Sequence, residues 1–403
     1  MEPRAAQALS EDTFRTRVDT PLRVTVAGHG LTIFVQSLPM IATLVRDIQA
    51  AGQRVWVESY IFLADVAGYA VAEALKERAR LGLDVRVLYD AIGCQSTPSV
   101  FFQEMAEAGI EVHAFHSIWE ALYRFSFLRV LNRRNHRKLV VIDDQVAYLG
   151  GMNLLDQGSA ALAERAEHLP MSAGWRDVHV RLTGPQQKEL AESFERSWRR
   201  ARGLPIKRRP RSYRRALPAP GEESIQFFDS GPGPKHTRAA RVFTQLIRRA
   251  KQRLALSMAY FLPVGPVLRQ LLRAHRRGVF IQVVLPGESD VRIVQRATRY
   301  LYRRLLRRRF HIYERQMRML HSKLMIVDDQ WTVLGSCNLD ARSLYINYEI
   351  LAVIHSRNLA KALGTLIQTE VEASHRVRLR SCLQQHWTQR LLDRLAWSLR
   401  WWL

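Results

Sequence analysis

Two stretches of the 403-residue chain carry the same chemically able side chains at the same offsets. From Asn135 it reads NHRKLVVIDDQVAYLGGMNLLD, and from Leu320 it reads LHSKLMIVDDQWTVLGSCNLDA. Each is His-x-Lys, four residues, Asp, six residues, Gly-[Gly/Ser]-x-Asn. The first copy is His136, Lys138, Asp143, Gly150, Gly151 and Asn153; the second is His321, Lys323, Asp328, Gly335, Ser336 and Asn338. Histidine can attack an electrophile or carry a proton, while Lys and Asn can donate to an anionic oxygen centre. A lone His-x-Lys on a strand is ordinarily a solvated stripe, and Asp-Asp an ordinary turn. Two copies with every spacing kept are not explained by core packing, which has no use for Lys or Asn.

The apolar runs in HRKLVVID and HSKLMIVD predict strands, on which residues two apart share a face, so His and Lys project together. DDQ is turn chemistry, and a second strand (VAYLGG or WTVLGS) then returns Gly and Asn to the same end. Small residues there permit close approach of backbone to a ligand. Upstream of each motif the same order recurs. QRVWVESYIF, GYAVAEALKERARLG and DVRVLYD read as strand, helix, strand; QRLALSMAYF, VLRQLLRAHRRG and FIQVVLPG repeat them. Near-continuous apolar strands point to βαβ units in a buried sheet. RDVHVRLTG and YEILAVIH close the two halves. The expected fold class is α/β: two domains related by a pseudo-two-fold axis, each a mixed, mostly parallel sheet flanked by helices. The expected division is an N-terminal tail (1–22), a first domain (23–202), a basic Pro-rich linker (203–222), a second domain (223–375) and an amphipathic C-terminal helix (376–403).

Both motifs match the HxK(x)4D(x)6G[GS]xN pattern, and the chain thereby resembles the phospholipase D superfamily. The resemblance implies that two half-sites meet across the repeat to form one active site with no metal and no organic cofactor. One of His136 and His321 would attack phosphorus to form a phosphohistidine, while the other protonates the leaving alkoxide and later deprotonates the incoming hydroxyl. Lys138, Lys323, Asn153 and Asn338, with Gly151 and Ser336 beside them, would stabilise the phosphate oxygens. Asp143 and Asp328 belong to the motif but read as supports of its turn. Asp177 in GWRDVHV and Glu349 in INYEILAV are expected to orient the histidines. Cys337 reads as a small filler.

Further text (ESYIF, WRD, PGESD, YERQMRMLHSK and GSCNLDARSLYINYE, between about Thr32 and Ile367) resembles the bacterial cardiolipin synthases, specifically the shorter B type. That likeness implies phosphatidyl transfer from one phosphatidylglycerol to the hydroxyl of another, releasing glycerol. A phospholipase D hydrolase, a phosphatidylserine synthase and a nuclease of the same superfamily remain alternatives.

The 61 Lys+Arg against 37 Asp+Glu give a net charge of +24, which bears on partners rather than fold. Nucleic acid and an anionic membrane surface are the two candidates; no ladder of aromatics for base stacking is evident, which favours phosphatidylglycerol and other anionic phospholipids. Three cysteines without CxxC spacing argue against a disulfide framework or a zinc site. Neither a signal peptide nor a membrane-spanning apolar run is visible, so a peripheral protein on the cytoplasmic face of the cell membrane is expected. Asp290–Phe310 places Ile293, Ala297, Tyr300, Leu301 and Leu305 on one face of a basic helix. Phe115–Arg134 mixes aromatics with Arg and reads either as a segment dipping into headgroups or as a packed lid. Near the C-terminus Trp387, Leu391, Leu395, Leu399 and Trp402 fall along one helical stripe, broadened by Trp397 and Trp401, with Arg390, Arg394 and Arg400 on its flanks. An in-plane membrane anchor is the expectation there.

Overall fold

Two eight-stranded mixed sheets organise the computed structural model, which describes residues 20–115, 132–156, 174–184, 187–206, 217, 221–233 and 237–403. The first half runs β1 (Leu22–Val26), β2 (His29–Phe34), α1 (Ser37–Gln49), β3 (Arg54–Ser59), α2 (Val66–Arg80), β4 (Asp84–Asp90), α3 (Ser99–Glu107) and β5 (Glu111–Phe115). It continues with β6 (Leu139–Ile142), β7 (Val146–Gly150), the short β8 (Trp175–Arg176), β9 (His179–Thr183) and α4 (Gln187–Ala201). The second half runs β10 (Ser224–Ser230), α5 (Arg238–Arg249), β11 (Arg253–Met258), α6 (Gly265–Arg276), β12 (Phe280–Pro286), α7 (Arg292–Leu306) and β13 (His311–Arg315). After these come β14 (Met319–Leu320), β15 (Lys323–Val327), β16 (Trp331–Gly335), β17 (Glu349–His355), α8 (Arg357–Glu372), β18 (Ser374–Arg376), α9 (Leu379–Gln384) and α10 (Trp387–Ser398).

The sheet orders are β1-β2-β9-β7-β6-β3-β4-β5 and β10-β17-β16-β15-β11-β12-β13-β18. Seven strands correspond one to one, and each half adds an edge strand on the opposite side. The sheets are mixed, but they are not mostly parallel. Within these two sheets only β3-β4-β5 and β11-β12-β13 run parallel, and their other pairings are antiparallel. Apolar runs report burial on both faces and carry no information on direction. Direction is instead imposed by the Asp-Asp hairpins between β6 and β7 and between β15 and β16. Asp143 (φ 51°) and Asp328 (φ 52°) adopt the left-handed conformation that Asp tolerates.

Burial on both faces has a clear source. One apolar layer lies outside each sheet, and a third draws on both halves: Val141, Leu149, Val180 and Phe194 pack in one cluster with Leu324, Leu334, Ile350 and Leu359. The halves are therefore joined by core rather than by a polar interface, which holds a shared site rigid.

Residues 376–403 do not form one helix. The chain is extended at Gln385 (ψ 136°) and His386 (ψ 147°), separating α9 from α10. α10 packs against α7 through buried Asp393 and Ala396, leaving Trp387, Leu391, Leu395, Leu399 and Trp402 exposed. In α7, Ala297, Leu301 and Leu305 are buried, whereas Ile293 and Tyr300 stand 40% exposed. No helix among the described residues is long and apolar enough to cross a membrane. Most of the N-terminal tail, of the Phe115–Arg134 stretch and of the 203–222 linker lies outside the described residues.

Candidate active site between the two halves

Two short parallel bridges stitch the halves together where the histidines lie. Asn135 pairs with Tyr348, and β14 pairs with β8 (Met319 with Trp175, Leu320 with Arg176). The backbone N–H of His136 donates to Tyr348 O at 2.9 Å, and that of His321 donates to Arg176 O at 2.7 Å. One residue beyond each acceptor stands an acid, so parallel pairing sets each histidine beside the other half's carboxylate. His136 Nδ1 lies 3.0 Å from Glu349 Oε1, and His321 Nδ1 lies 2.7 Å from Asp177 Oδ2. Both carboxylates are fully buried.

The lysines follow by strand alternation. Lys138 Nζ donates to His136 O at 2.8 Å and sits over the Tyr60 ring, 5.1 Å from its centroid. Lys323 Nζ donates to His321 O and lies 3.3 Å from Asp177 Oδ2 and 2.8 Å from His321 Nδ1. Asn153 is buried with its Oδ1 accepting from Ile61 N at 3.2 Å, which points its NH2 elsewhere; Asn338 is likewise buried. Ser336 Oγ donates to Glu349. Gly151 occupies the matching place, where a Cβ would fall 2.1 Å from Asp177 Oδ1.

Asp143 and Asp328 stand at the far ends of β6 and β15 from the histidines. Asp143 accepts backbone N–H bonds from Gly52, Gln53 and Arg54 at 2.9–3.0 Å, and Asp328 accepts from Lys251, Gln252 and Arg253 at 2.8–2.9 Å. They buckle each hairpin to the start of the neighbouring strand. Although burial raises the Asp143 carboxyl, these donors more than offset it and hold it below its usual value.

Electrostatically the half-sites differ. Burial pushes the Glu349 carboxyl up to about 8, with the Lys138 charge opposing, so Glu349 is largely protonated at neutral pH. Burial acts on Asp177 too, but Lys323, the His321 hydrogen bond and the Val178 N–H outweigh it and keep its carboxyl below the usual range. Burial drives His136 well below its ordinary value, and the charges of Lys138, Lys323 and His321 act the same way. His321 is also lowered by burial and by Lys323, but its bond to Asp177 opposes them. Burial brings Lys138 down to about 7 against the pull of Glu349, and it lowers Lys323 against Asp177.

The aromatic walls were not anticipated as site residues. The Tyr60 ring lies edge-on 4.8 Å from His136, and Tyr260 edge-on 6.2 Å from His321, with Trp175 5.1 Å from His321. Tyr260 donates to Asp290 at 2.8 Å. ESYIF and SMAYF place the two tyrosines at equivalent positions, but in the sequence both read simply as strand residues. Cys337 is buried, its Sγ directed at the carbonyls of Asn338 and Ser343, and burial pushes the thiol well above its ordinary value.

The domain model described as "Cardiolipin synthase, PLD-like domain" matches residues 44–198 and 243–369, one match in each half. The chain belongs to the cardiolipin synthase, phospholipase D-like family. It is an enzyme of the phosphatidyltransferase kind, and membrane phospholipids are its substrate class. Cardiolipin synthase A of Pseudomonas putida strain W619 is 30% identical over 92% of this chain and 74% of its own length. The cardiolipin synthase of Halalkalibacterium halodurans is 28% identical over 87% of this chain and 68% of its own. The Pseudomonas relative is named type A. Phosphatidylserine synthase of Haemophilus influenzae Rd KW20 superposes with a TM-score of 0.68 at 14% identity, covering 98% of this chain and 100% of that one. Polyphosphate kinase of Porphyromonas gingivalis reaches 0.53 at 13% identity over 91% of this chain and 55% of its own. These two likenesses concern the fold alone.

Proposed function

We propose that the enzyme makes cardiolipin at one site shared by its halves, with His136 as nucleophile and His321 as proton carrier. The supporting observation is the crossed pairing of each histidine with the other half's acid, combined with the inequality of the two acids. His136, unprotonated and oriented through Nδ1 by Glu349, presents the Nε2 lone pair. It attacks the phosphorus of one phosphatidylglycerol in line. The bond from phosphorus to the glycerol headgroup oxygen breaks, and that oxygen takes a proton from His321. Asp177, hydrogen-bonded to His321 Nδ1, favours the protonated form of His321 against the burial and the Lys323 charge that lower it. In the return step the hydroxyl of a second phosphatidylglycerol gives its proton to His321 and its oxygen bonds to phosphorus. The N–P bond to His136 then breaks, releasing cardiolipin.

Lys138, Lys323, Asn153 and Asn338 supply donors to the equatorial oxygens, in a buried setting where such donors act strongly. Gly151 and Ser336 set the two acids beside the histidines. Asp143 and Asp328 hold the hairpins without touching substrate. Substrate arrives from an anionic lipid surface on the cytoplasmic face, to which the protein binds peripherally. The test is to supply labelled phosphatidylglycerol in mixed micelles and identify products by mass. Cardiolipin with free glycerol supports this reading; phosphatidic acid alone would make the enzyme a hydrolase and remove the transfer step.

A further inference from the structure

A second feature stands apart from the histidine site. α7 and α10 enclose an open groove of about 670 Å³. Arg303, Arg304, Arg307 and Arg308 enter it from α7 and the turn after it, and Arg390 and Arg394 enter from α10. The spacing puts each set on one side of its helix. The Tyr300 and Trp397 rings stack at 5.6 Å between the helices. Asp393 is the one acid lining the groove; it is buried and already bound to Arg296 at 3.5 Å and Gln385 at 2.7 Å. Among the described residues no carboxylate pairs with Arg303, Arg304, Arg307, Arg390 or Arg394. Like charges drawn together without a counter-ion destabilise the pair of helices, so the cluster calls for an anion.

The geometry points to a phospholipid phosphate headgroup, held in this groove while the enzyme lies on an anionic bilayer. Two neighbouring features favour a lipid over free phosphate. Trp387 (61% exposed), Leu391 and Leu395 on α10, with Trp402 (68% exposed) in the turn just beyond it, run beside the arginines as an apolar stripe suited to acyl chains below the headgroups. Arginine stems lie along such a boundary with their guanidinium groups among phosphates. The helix pair also adjoins the catalytic region. Leu262 and Tyr260 pack into the α7–α10 cluster, and Arg342 donates both to Trp402 O (3.2 Å) and to Asn132 Oδ1 (3.0 Å), four residues before His136. A headgroup held here keeps the active-site wall at the lipid surface.

The test measures binding, not turnover, and so stands apart from the proposed reaction. Sedimentation of the full chain with phosphatidylcholine vesicles, with and without phosphatidylglycerol, is compared for three proteins: wild type, R304Q/R307Q/R390Q/R394Q, and a control that loses as much charge elsewhere (R80Q/R248Q/R273Q/R276Q). The groove variant should lose on the order of a hundredfold in affinity for phosphatidylglycerol vesicles. The control should lose less than about tenfold and melt as wild type, while the groove variant, relieved of like-charge repulsion, should melt no lower than wild type. Inorganic phosphate at matched ionic strength should not displace the protein from vesicles. Equal losses in groove and control variants would reduce the effect to net charge and overturn the site. Displacement by inorganic phosphate would make it a free-phosphate site, and loss of single-stranded DNA binding with vesicle binding intact would make it a nucleic-acid site; either result overturns the proposal.

Discussion

The two half-sites share a motif but not an electrostatic state. His321 faces an ionised acid that a lysine reinforces, whereas His136 faces an acid that burial keeps largely protonated. The difference traces to two positions. In the first motif Gly151 leaves room for Asp177, which Lys323 Nζ approaches to 3.3 Å and to which Val178 N–H donates; in the second Ser336 adds its hydroxyl to the equally buried Glu349, and that donor with the Lys138 charge does not offset burial. A duplicated sequence can thus yield one histidine suited to attack and another suited to proton transfer, without altering either His-x-Lys pair.

The largest effect should follow from removing either histidine. H136A and H321A should each lower turnover by roughly 10⁵-fold or more, and the double variant should be no worse than either single one. A rate near wild type in either single variant would separate the half-sites into independent centres. The acids should then divide the halves. D177N removes the charge that stabilises a protonated His321 and should cost about 10³–10⁴-fold in kcat. E349Q replaces an acid already largely protonated and should cost only about tenfold, the scale of one neutral hydrogen bond. Equal losses would erase the distinction between the halves.

Exchanging the neighbouring small residues sharpens the same point. G151S drives a Cβ into Asp177 and should destabilise the protein by about 1–3 kcal/mol while impairing activity as D177N does. S336G loses one bond to Glu349 and should cost about 1 kcal/mol with activity largely kept. Thermal melts and kcat on the same samples read both.

The smallest effect concerns pH. Folding raises Glu349 from 4.5 to about 8, so the native state holds a proton that the unfolded chain has released. Its contribution to stability is fully present below pH 4.5 and is lost as pH rises towards 8. E349Q does not titrate, so denaturant melts should show the variant gaining on wild type across that window. A constant difference would mean that Glu349 is ionised in the native state.

Much of this arrangement is visible in the sequence, and the remainder is hidden for physical reasons. The repeat, the strand-helix-strand order and the motif residues are legible because spacing and periodicity encode them. Asp177 and Glu349 are legible as acids opening late strands, but their exchange between halves is not. That exchange depends on Asn135–Tyr348 and β14–β8, pairings too short to leave any periodic trace. The antiparallel pairings are not legible because an apolar run looks the same in either direction. In α10 the stripe from Trp387 to Trp402 is plain from its spacing. That the helix docks by Ala396 and Asp393 depends on α7, more than eighty residues upstream, and on the buried bonds of Asp393 to Arg296 and Gln385.

The central claim, that the halves divide attack from proton transfer, is tested most directly by trapping the covalent intermediate. Phosphatidylglycerol labelled at phosphorus is mixed with enzyme, quenched in base during turnover, digested and sequenced by mass spectrometry. The label should sit on the peptide containing His136. Label on the peptide containing His321 would contradict the assignment.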